Sequence, residues 1–174
     1  MKFGLNLACL GSFGDVGTLV ELATEAEAAG WDGVFVWDHL LRDEGAPFVD
    51  PWIAMTAIAV ATERVRIGPM VTPVPRRRPA KLARETVTLD HLSKGRLILG
   101  VGSGGDGWGE MSAFGEETDP RTLGAMLDEG LDVIDGLWSG EPFSFYGQHS
   151  MVKDAQFLPR PLQQPRIPIW ASGM

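Results

Sequence analysis

A chain of 174 residues with 44% hydrophobic and 22% charged side chains is long enough to bury a core, and its composition is that of a soluble globular protein with one domain over residues 1–174. Its 15 Lys and Arg against 23 Asp and Glu give a formal charge of −8, a field that repels polyanions and sets nucleic acid aside as a partner. One cysteine permits no internal disulfide, three scattered histidines offer no zinc spacing, and the longest apolar stretch, Trp52 to Ala61, is interrupted by Thr56, so a cytoplasmic protein without metal or membrane span is expected.

Cys9 after Ala8 invites a lipoprotein-signal reading, but the apolar run there is short and broken by Asn6. Phe3 to Leu10 is instead a first strand, closed by Gly11-Ser12-Phe13-Gly14. The apolar period then becomes helical at Leu19, Leu22, Ala23, Ala26 and Ala29; Thr18 and Glu21 are spaced for a capping box, and Gly30 suits the left-handed stop. Gly33 to Trp37 is a second strand, and Asp50 before Pro51 caps a second helix to about Thr62. Val65 to Val71 predicts a third strand, Pro79 to about Leu92 a third helix, Arg96 to Val101 a fourth strand and Thr122 to Trp138 a fourth helix, with Gly140 at its end. Phe143 to Tyr146 with Gly147 predicts a small hairpin or an ordered excursion. A proline-rich approach, Pro159 to Pro165, leads into a fifth strand at Ile167 to Trp170.

Strands alternating with helices of this length need right-handed crossovers and a parallel sheet buried on both faces. The fold class is α/β, built of parallel (β/α) units. Eight such units take roughly 250 residues in a closed TIM barrel. Four units and the start of a fifth are visible here, which predicts an incomplete barrel of about five strands.

Ligands of parallel sheets collect at the carboxyl ends of the strands. The segments to inspect are Gly11 to Gly14, Trp37 to His39, Met70 to Pro75, Gly102 to Trp108 and Ala171 to Met174. Gly100 to Gly107 is nearly free of side chains, so its N–H groups can approach a flat cofactor; a plain surface turn is the other reading. Asp38 and His39 can orient such a ring or move a proton, or be an ordinary hydrogen-bonded strand end. The run Arg76-Arg77-Arg78 is read as solvated in preference to anion-binding, and His91 and His149 as structural. Trp52 and Trp138 suit the core, Trp37 and Trp108 a pocket wall, and Trp170 the last strand. No convergent carboxylate and histidine set is visible, which argues against a sugar or phosphate lyase or isomerase.

Together, Glu25 to Gly33, Trp37-Asp38-His39, Thr62 to Gly68, Arg78 to Asp90 and Ser93 to Leu97 resemble the luciferase-like monooxygenases and related flavin- or deazaflavin-dependent oxidoreductases over nearly the whole chain. The resemblance implies a TIM barrel with a flavin ring across its strand ends. In the monooxygenase form, reduced FMN and oxygen act on a small organic substrate within a dry pocket, a flavin reductase being a potential partner. By the same resemblance His39 is the catalytic candidate, Asp38, Met70, Val71, Gly102, Ser103 and Gly104 contact the ring, and Ser172 and Gly173 lie near the phosphate. Met70 and Val71 match a third-strand bulge that sometimes carries a non-proline cis peptide. The position matching the glutamate acid of some deazaflavin dehydrogenases is Gly105, which places the monooxygenase ahead of a deazaflavin-dependent dehydrogenase. The family's remaining strands would lie beyond Met174. The exposed edge predicts a homo-oligomer, and a shortened, non-catalytic flavin-binding or dimerising relative is the rival from another class.

Overall fold

The computed structural model of the protein describes residues 1–41 and 46–172. Strands β1 (Gly4–Leu7), β2 (Gly33–Val36) and β3 (Arg66–Pro69) run parallel, Gly33 of β2 lying between Gly4 and Arg66. After β3 the chain passes through a cis Met70–Val71 peptide into β4 (Thr72–Pro73), which pairs in parallel with β5 (Leu99–Gly102); β5 pairs in turn with β8 (Ile169–Ala171). A bridge between Ile67 and Leu97 joins the two sets, so β1 and β8 are the edges among the described residues.

The strands approach so closely that two positions exclude any side chain. A Cβ at Gly68 would lie 2.1 Å from the Ile98 carbonyl oxygen, and one at Gly100 would lie 2.1 Å from that of Pro69. Helices α1 (Val16–Ala28), α2 (Pro51–Ala61), α3 (Pro79–Leu92) and α4 (Pro120–Trp138) bury Leu19, Met55, Ile58, Leu82, Val87 and Ile134 in one cluster with strand residues Val34, Ile67 and Leu99. The other face of the sheet carries Phe35, Met70, Ile98 and Trp170 around a cavity of about 550 Å3, where the Phe35 and Trp170 ring centroids are 5.4 Å apart.

Most predicted elements occur, with shorter strands; α2 and α3 start at Pro51 and Pro79 as expected, whereas α1 and α4 start earlier, at Val16 and Pro120. The proposed Thr18–Glu21 capping box is not the cap of α1. Asp15 fills that role, its Oδ2 accepting from Thr18 N at 2.7 Å and from the Thr18 hydroxyl at 3.1 Å. Asp50 caps α2 as expected, and Asp119 caps α4 ahead of Pro120. Gly30 and Gly140 take positive φ, at 86° and 76°. The expected hairpin is β6 (Phe143–Tyr146) with β7 (Met151–Ala155), and three N–H groups of its turn, from Gln148, His149 and Ser150, donate to Glu129 on α4.

Three polar clips, those of Arg96 and Asp90 buried and that of Glu27 half-buried, set the amino-terminal ends of the strands. Glu27 at the end of α1 accepts from the backbone N–H groups of Glu63, Arg64 and Val65, just before β3. Burial pushes this carboxyl up, but the three N–H groups outweigh it and hold Glu27 below the usual carboxylate range. Arg96 spreads its guanidinium over the end of α2, and Asp90 of α3 accepts from Leu162 N and from the Gln163 backbone and side chain, tying down the proline-rich approach to β8.

Candidate active site

The carboxyl ends of β2, β4 and β5 meet at a group of buried charges. The ladder continues past β2, with Trp37 N donating to Leu7 O and Met70 N to Val36 O, and this directs Asp38 inward. Its carboxylate is fully buried and accepts from five donor groups. Arg76 Nη2 and Arg77 Nη2 reach Oδ1 at 2.7 and 2.9 Å; the Thr72 hydroxyl, Trp52 Nε1, and Arg77 Nη2 and Nε reach Oδ2 at 2.7, 3.0, 2.7 and 3.2 Å. The Arg77 guanidinium also lies 5.4 Å from the centre of the Trp52 ring.

Glu110 supplies the second negative charge. Its Oε2 accepts from Arg76 Nη1 at 2.9 Å and from Leu40 N at 3.0 Å, while Oε1 lies 2.7 Å from His39 Nδ1. Two guanidiniums thus face two carboxylates, all hydrogen-bonded, which is the condition under which buried charge is tolerable. Among the described residues, no buried side-chain nitrogen or oxygen lacks a partner. Behind this cluster, burial pushes the Cys9 thiol up to about 11, the charges of Asp38 and Asp50 adding to the effect against a lowering bond from Trp37 N–H.

His39 stands between the cluster and a cavity of about 340 Å3 lined by Met70, Val71, Pro73, Gly104, Gly105, Gly107 and Trp108, with Asp38 and Glu110 also on its wall. The imidazole meets Trp37 and Trp108 edge-on, with centroids 5.9 and 4.8 Å away. Asp106 shapes the loop beyond, where Ser112 and Met111 bonds hold its carboxyl below the usual range.

Of the residues proposed from the sequence, Asp38, His39, Met70, Val71 and Gly104 line this cavity, whereas Gly102 and Ser103 do not. The glycines have different reasons to be glycine. A Cβ at Gly102 would meet the Ser172 hydroxyl at 2.9 Å and Val71 at 3.0 Å, and one at Gly104 would meet Pro73 at 2.9 Å and Met111 at 3.0 Å, so both are needed by protein packing. Gly105 and Gly107 face open space. Ser172 extends β8 by donating its N–H to Val101 O, and Gly173 lies outside the described residues.

Two expectations are corrected. Arg76 and Arg77 are not a solvated run: their side chains are 3% and 19% exposed, because the Asp38 and Glu110 carboxylates draw them in, and only Arg78 is exposed. A convergent carboxylate and histidine set does exist, in Asp38, His39 and Glu110. Glu110 escaped notice because it sits 71 positions from His39 with no local spacing to mark it. His91 is structural as expected, its Nε2 lying 2.7 Å from Arg160 O, and the buried Trp52 and Trp138 belong to the core. His149 adjoins a separate cleft of about 260 Å3 beside Arg76, Arg77 and Arg78. Among the described residues no three His, Cys, Asp or Glu side chains are grouped to hold a metal, and no helix is long and apolar enough to cross a membrane.

The sequence profile of the luciferase-like monooxygenases matches residues 5–174. The chain belongs to that family. Within it, the chain is 40% identical over 161 residues to an F420-dependent glucose-6-phosphate dehydrogenase of Amycolatopsis mediterranei, covering 89% of this chain and 47% of that protein. A homologue of the same name from Microbacterium testaceum is 38% identical, with the same coverage. This member of the luciferase-like family therefore spans about half the length of the curated relatives it matches. Among solved structures, an F420-dependent secondary alcohol dehydrogenase holding an F420-acetone adduct superposes with a TM-score of 0.88 at 28% identity, covering 99% of this chain and 52% of that one. A monooxygenase from Streptomyces bottropensis gives a TM-score of 0.84 at 30% identity, covering 98% and 53%. The fold is that of the luciferase-like TIM barrels, here with β1 to β5 and β8 parallel and no closed barrel among the described residues.

Proposed function

We propose that the chain forms the ring-binding half of a deazaflavin-dependent oxidoreductase that interconverts a hydroxyl and a carbonyl on an uncharged small substrate. The observation that carries this reading is the setting of His39: Nδ1 is held by Glu110, and the ring borders a 340 Å3 cavity beside Met70 and Val71. Pockets for cofactors and drug-sized ligands begin at about this volume. The residues present suit a flat ring, with the apolar Met70, Val71 and Pro73 on one side and open space where Gly105 and Gly107 would carry a Cβ.

When bound, such a ring supplies two-electron hydride chemistry. His39 Nε2 takes the hydroxyl proton that an alcohol loses as its carbon becomes a carbonyl, and returns it in the reverse direction. Trp37 and Trp108 hold the imidazole edge-on, and Trp108 shields the mouth of the cavity. Because Arg76 and Arg77 are committed to Asp38 and Glu110, neither guanidinium is available to a phosphate on the substrate. This favours an uncharged alcohol over a sugar phosphate.

The names of the relatives at 38–40% identity move deazaflavin ahead of the reduced FMN preferred from sequence. Monooxygenation with reduced FMN is the second reading, favoured by Gly105, which leaves space where a dehydrogenase acid would stand. Fluorescence titration of the purified chain with oxidised deazaflavin and with FMN, followed by deazaflavin reduction with secondary alcohols or glucose 6-phosphate and oxygen uptake with reduced FMN, separates them. The expected result is deazaflavin binding and alcohol-dependent reduction, lowered roughly 100-fold or more in His39→Ala. Binding of neither cofactor removes this function from the chain.

A further inference from the structure

We infer that Glu110 is a positioning residue that fixes the tautomer of His39, with Arg76 and Leu40 N holding the carboxylate in place. The inference rests on the reading of His39 as the site's base. The donor and acceptor count at Glu110 leaves one arrangement. Oε2 already accepts from the Arg76 guanidinium and from Leu40 N, an ion pair in which the carboxylate is the acceptor throughout. Oε1 therefore has only lone pairs to offer, and the 2.7 Å contact requires that His39 Nδ1 carry the hydrogen and donate it. A neutral imidazole with its hydrogen on Nδ1 presents a lone pair at Nε2. That is the form able to accept a proton from a substrate hydroxyl.

The other groups around the ring agree with this role. Glu110 is 5% exposed and Arg76 is 3% exposed, so water competes little for either. Arg76 also donates through Nη2 to the Asp38 side chain and to Asp38 O, which anchors it to the segment after β2 that carries His39. Edge-on contact with Trp37 and Trp108 limits rotation about the ring's own bond. The opposite tautomer would set the Nδ1 lone pair against a carboxylate oxygen at 2.7 Å, a repulsive contact where little water is present to screen it. Glu110 reaches the reaction only through His39.

Nitrogen-15 NMR of the chain labelled at its three histidines tests this directly. His91→Gln and His149→Gln identify the other two rings by elimination. In the wild-type chain, with the imidazole neutral, Nδ1 is expected to give a protonated, pyrrole-type signal and Nε2 a bare, pyridine-type signal. A dominant tautomer with the hydrogen on Nε2 overturns the inference without any variant. Glu110→Gln is expected to mix the two forms and to lower kcat by a factor on the order of 10–10⁴, as wrong-tautomer substitutions do in hydrolase triads, with KM changed less than about threefold. Retention of both the single tautomer and kcat in that variant also overturns it. If the chain binds no deazaflavin, the function proposed above fails, while the wild-type tautomer still decides the role of Glu110.

Discussion

Replacing Arg96 is expected to produce the largest loss of stability of any single substitution at the base of the sheet. Its five N–H bonds run from Nε to Ser93 O at 2.7 Å, from Nη1 to the Thr62 hydroxyl at 2.9 Å and Val65 O at 3.0 Å, and from Nη2 to Ala59 O at 2.7 Å and Thr62 O at 2.9 Å. The Thr62 hydroxyl donates its own hydrogen to Ile58 O, so its lone pair is what Arg96 uses. None of these partners is a carboxylate. Burial holds the guanidinium below its usual range, and only the charges of Glu27 and Glu63 oppose that shift. Arg96→Met keeps the length of the side chain and leaves four backbone carbonyls without these donors. At about 1 kcal/mol net for each lost bond, the five together come to about 5 kcal/mol, at the top of the range of about 3–5 kcal/mol for removing one partner of a buried charged network. Arg96→Lys retains the charge but has three donors and no planar fork, so about half the loss is expected. Urea unfolding followed by far-ultraviolet circular dichroism reads both values. A midpoint for Arg96→Met equivalent to less than about 1 kcal/mol of destabilisation would refute the view that this guanidinium ties α2 to the sheet.

Cys9 should resist thiol reagents near pH 8 in the folded chain and react at once in denaturant, since its thiol is pushed up to about 11; rapid labelling without denaturant would contradict its burial. Glu27→Gln should destabilise at pH 7 and lose its effect in acid. The folded carboxyl lies below the unfolded value of about 4.3, so its contribution is present above that pH and disappears as pH falls through the folded value; equal losses at pH 7 and pH 3 in urea melts would refute the sign. Gly68→Ala is expected to cost several kcal/mol, roughly what other severe core disruptions cost, because the new Cβ meets the Ile98 carbonyl; an unchanged thermal midpoint would show that the strands can part. We propose that the edges β1 and β8, with the apolar cavity between them, drive self-association; a monodisperse monomer in sedimentation at micromolar concentration would remove that proposal.

The helices were the legible part of this sequence because a 3.6-residue apolar period survives any tertiary setting. α3 begins and ends at the residues expected, Pro79 and Leu92. The cap of α1 was misplaced because Thr18 has the right chemistry in the wrong role: its hydroxyl donates to Asp15 instead of accepting at the helix start. The third strand was read as continuous from Val65 to Val71, since side-chain pattern says nothing of the cis Met70–Val71 peptide that divides β3 from β4. At the site, Asp38 and His39 stood out by position after a strand, but their partners did not. A run of three arginines looks solvated until two carboxylates from distant loops are folded against it. The glycine-rich turn misled in the other direction, because Gly102 and Gly104 are required by Val71, Ser172, Pro73 and Met111, and only Gly105 and Gly107 open onto free space.

The buried charges are divided between the two ends of the sheet, and the division separates stability from chemistry. At the amino-terminal ends of the strands, Glu27, Arg96 and Asp90 bond almost wholly to backbone N–H and carbonyl groups, so each fixes a turn and leaves nothing for a ligand. At the carboxyl ends, Asp38, Arg76, Arg77 and Glu110 bond chiefly to side chains, most of them one another's, and the network ends on a histidine that still has one nitrogen to offer. Barrel enzymes generally place catalysis at this second end. It follows that Arg96→Lys should weaken folding while leaving the His39 tautomer as it is, because the two sites share no hydrogen-bond partner and distant substitutions act independently. Asp38→Asn should disturb both, since it leaves Arg76 and Arg77 with one carboxylate between them and sets an amide N–H against donors already in place. A histidine spectrum altered by Arg96→Lys in a folded chain would show that the two ends are coupled through the strands.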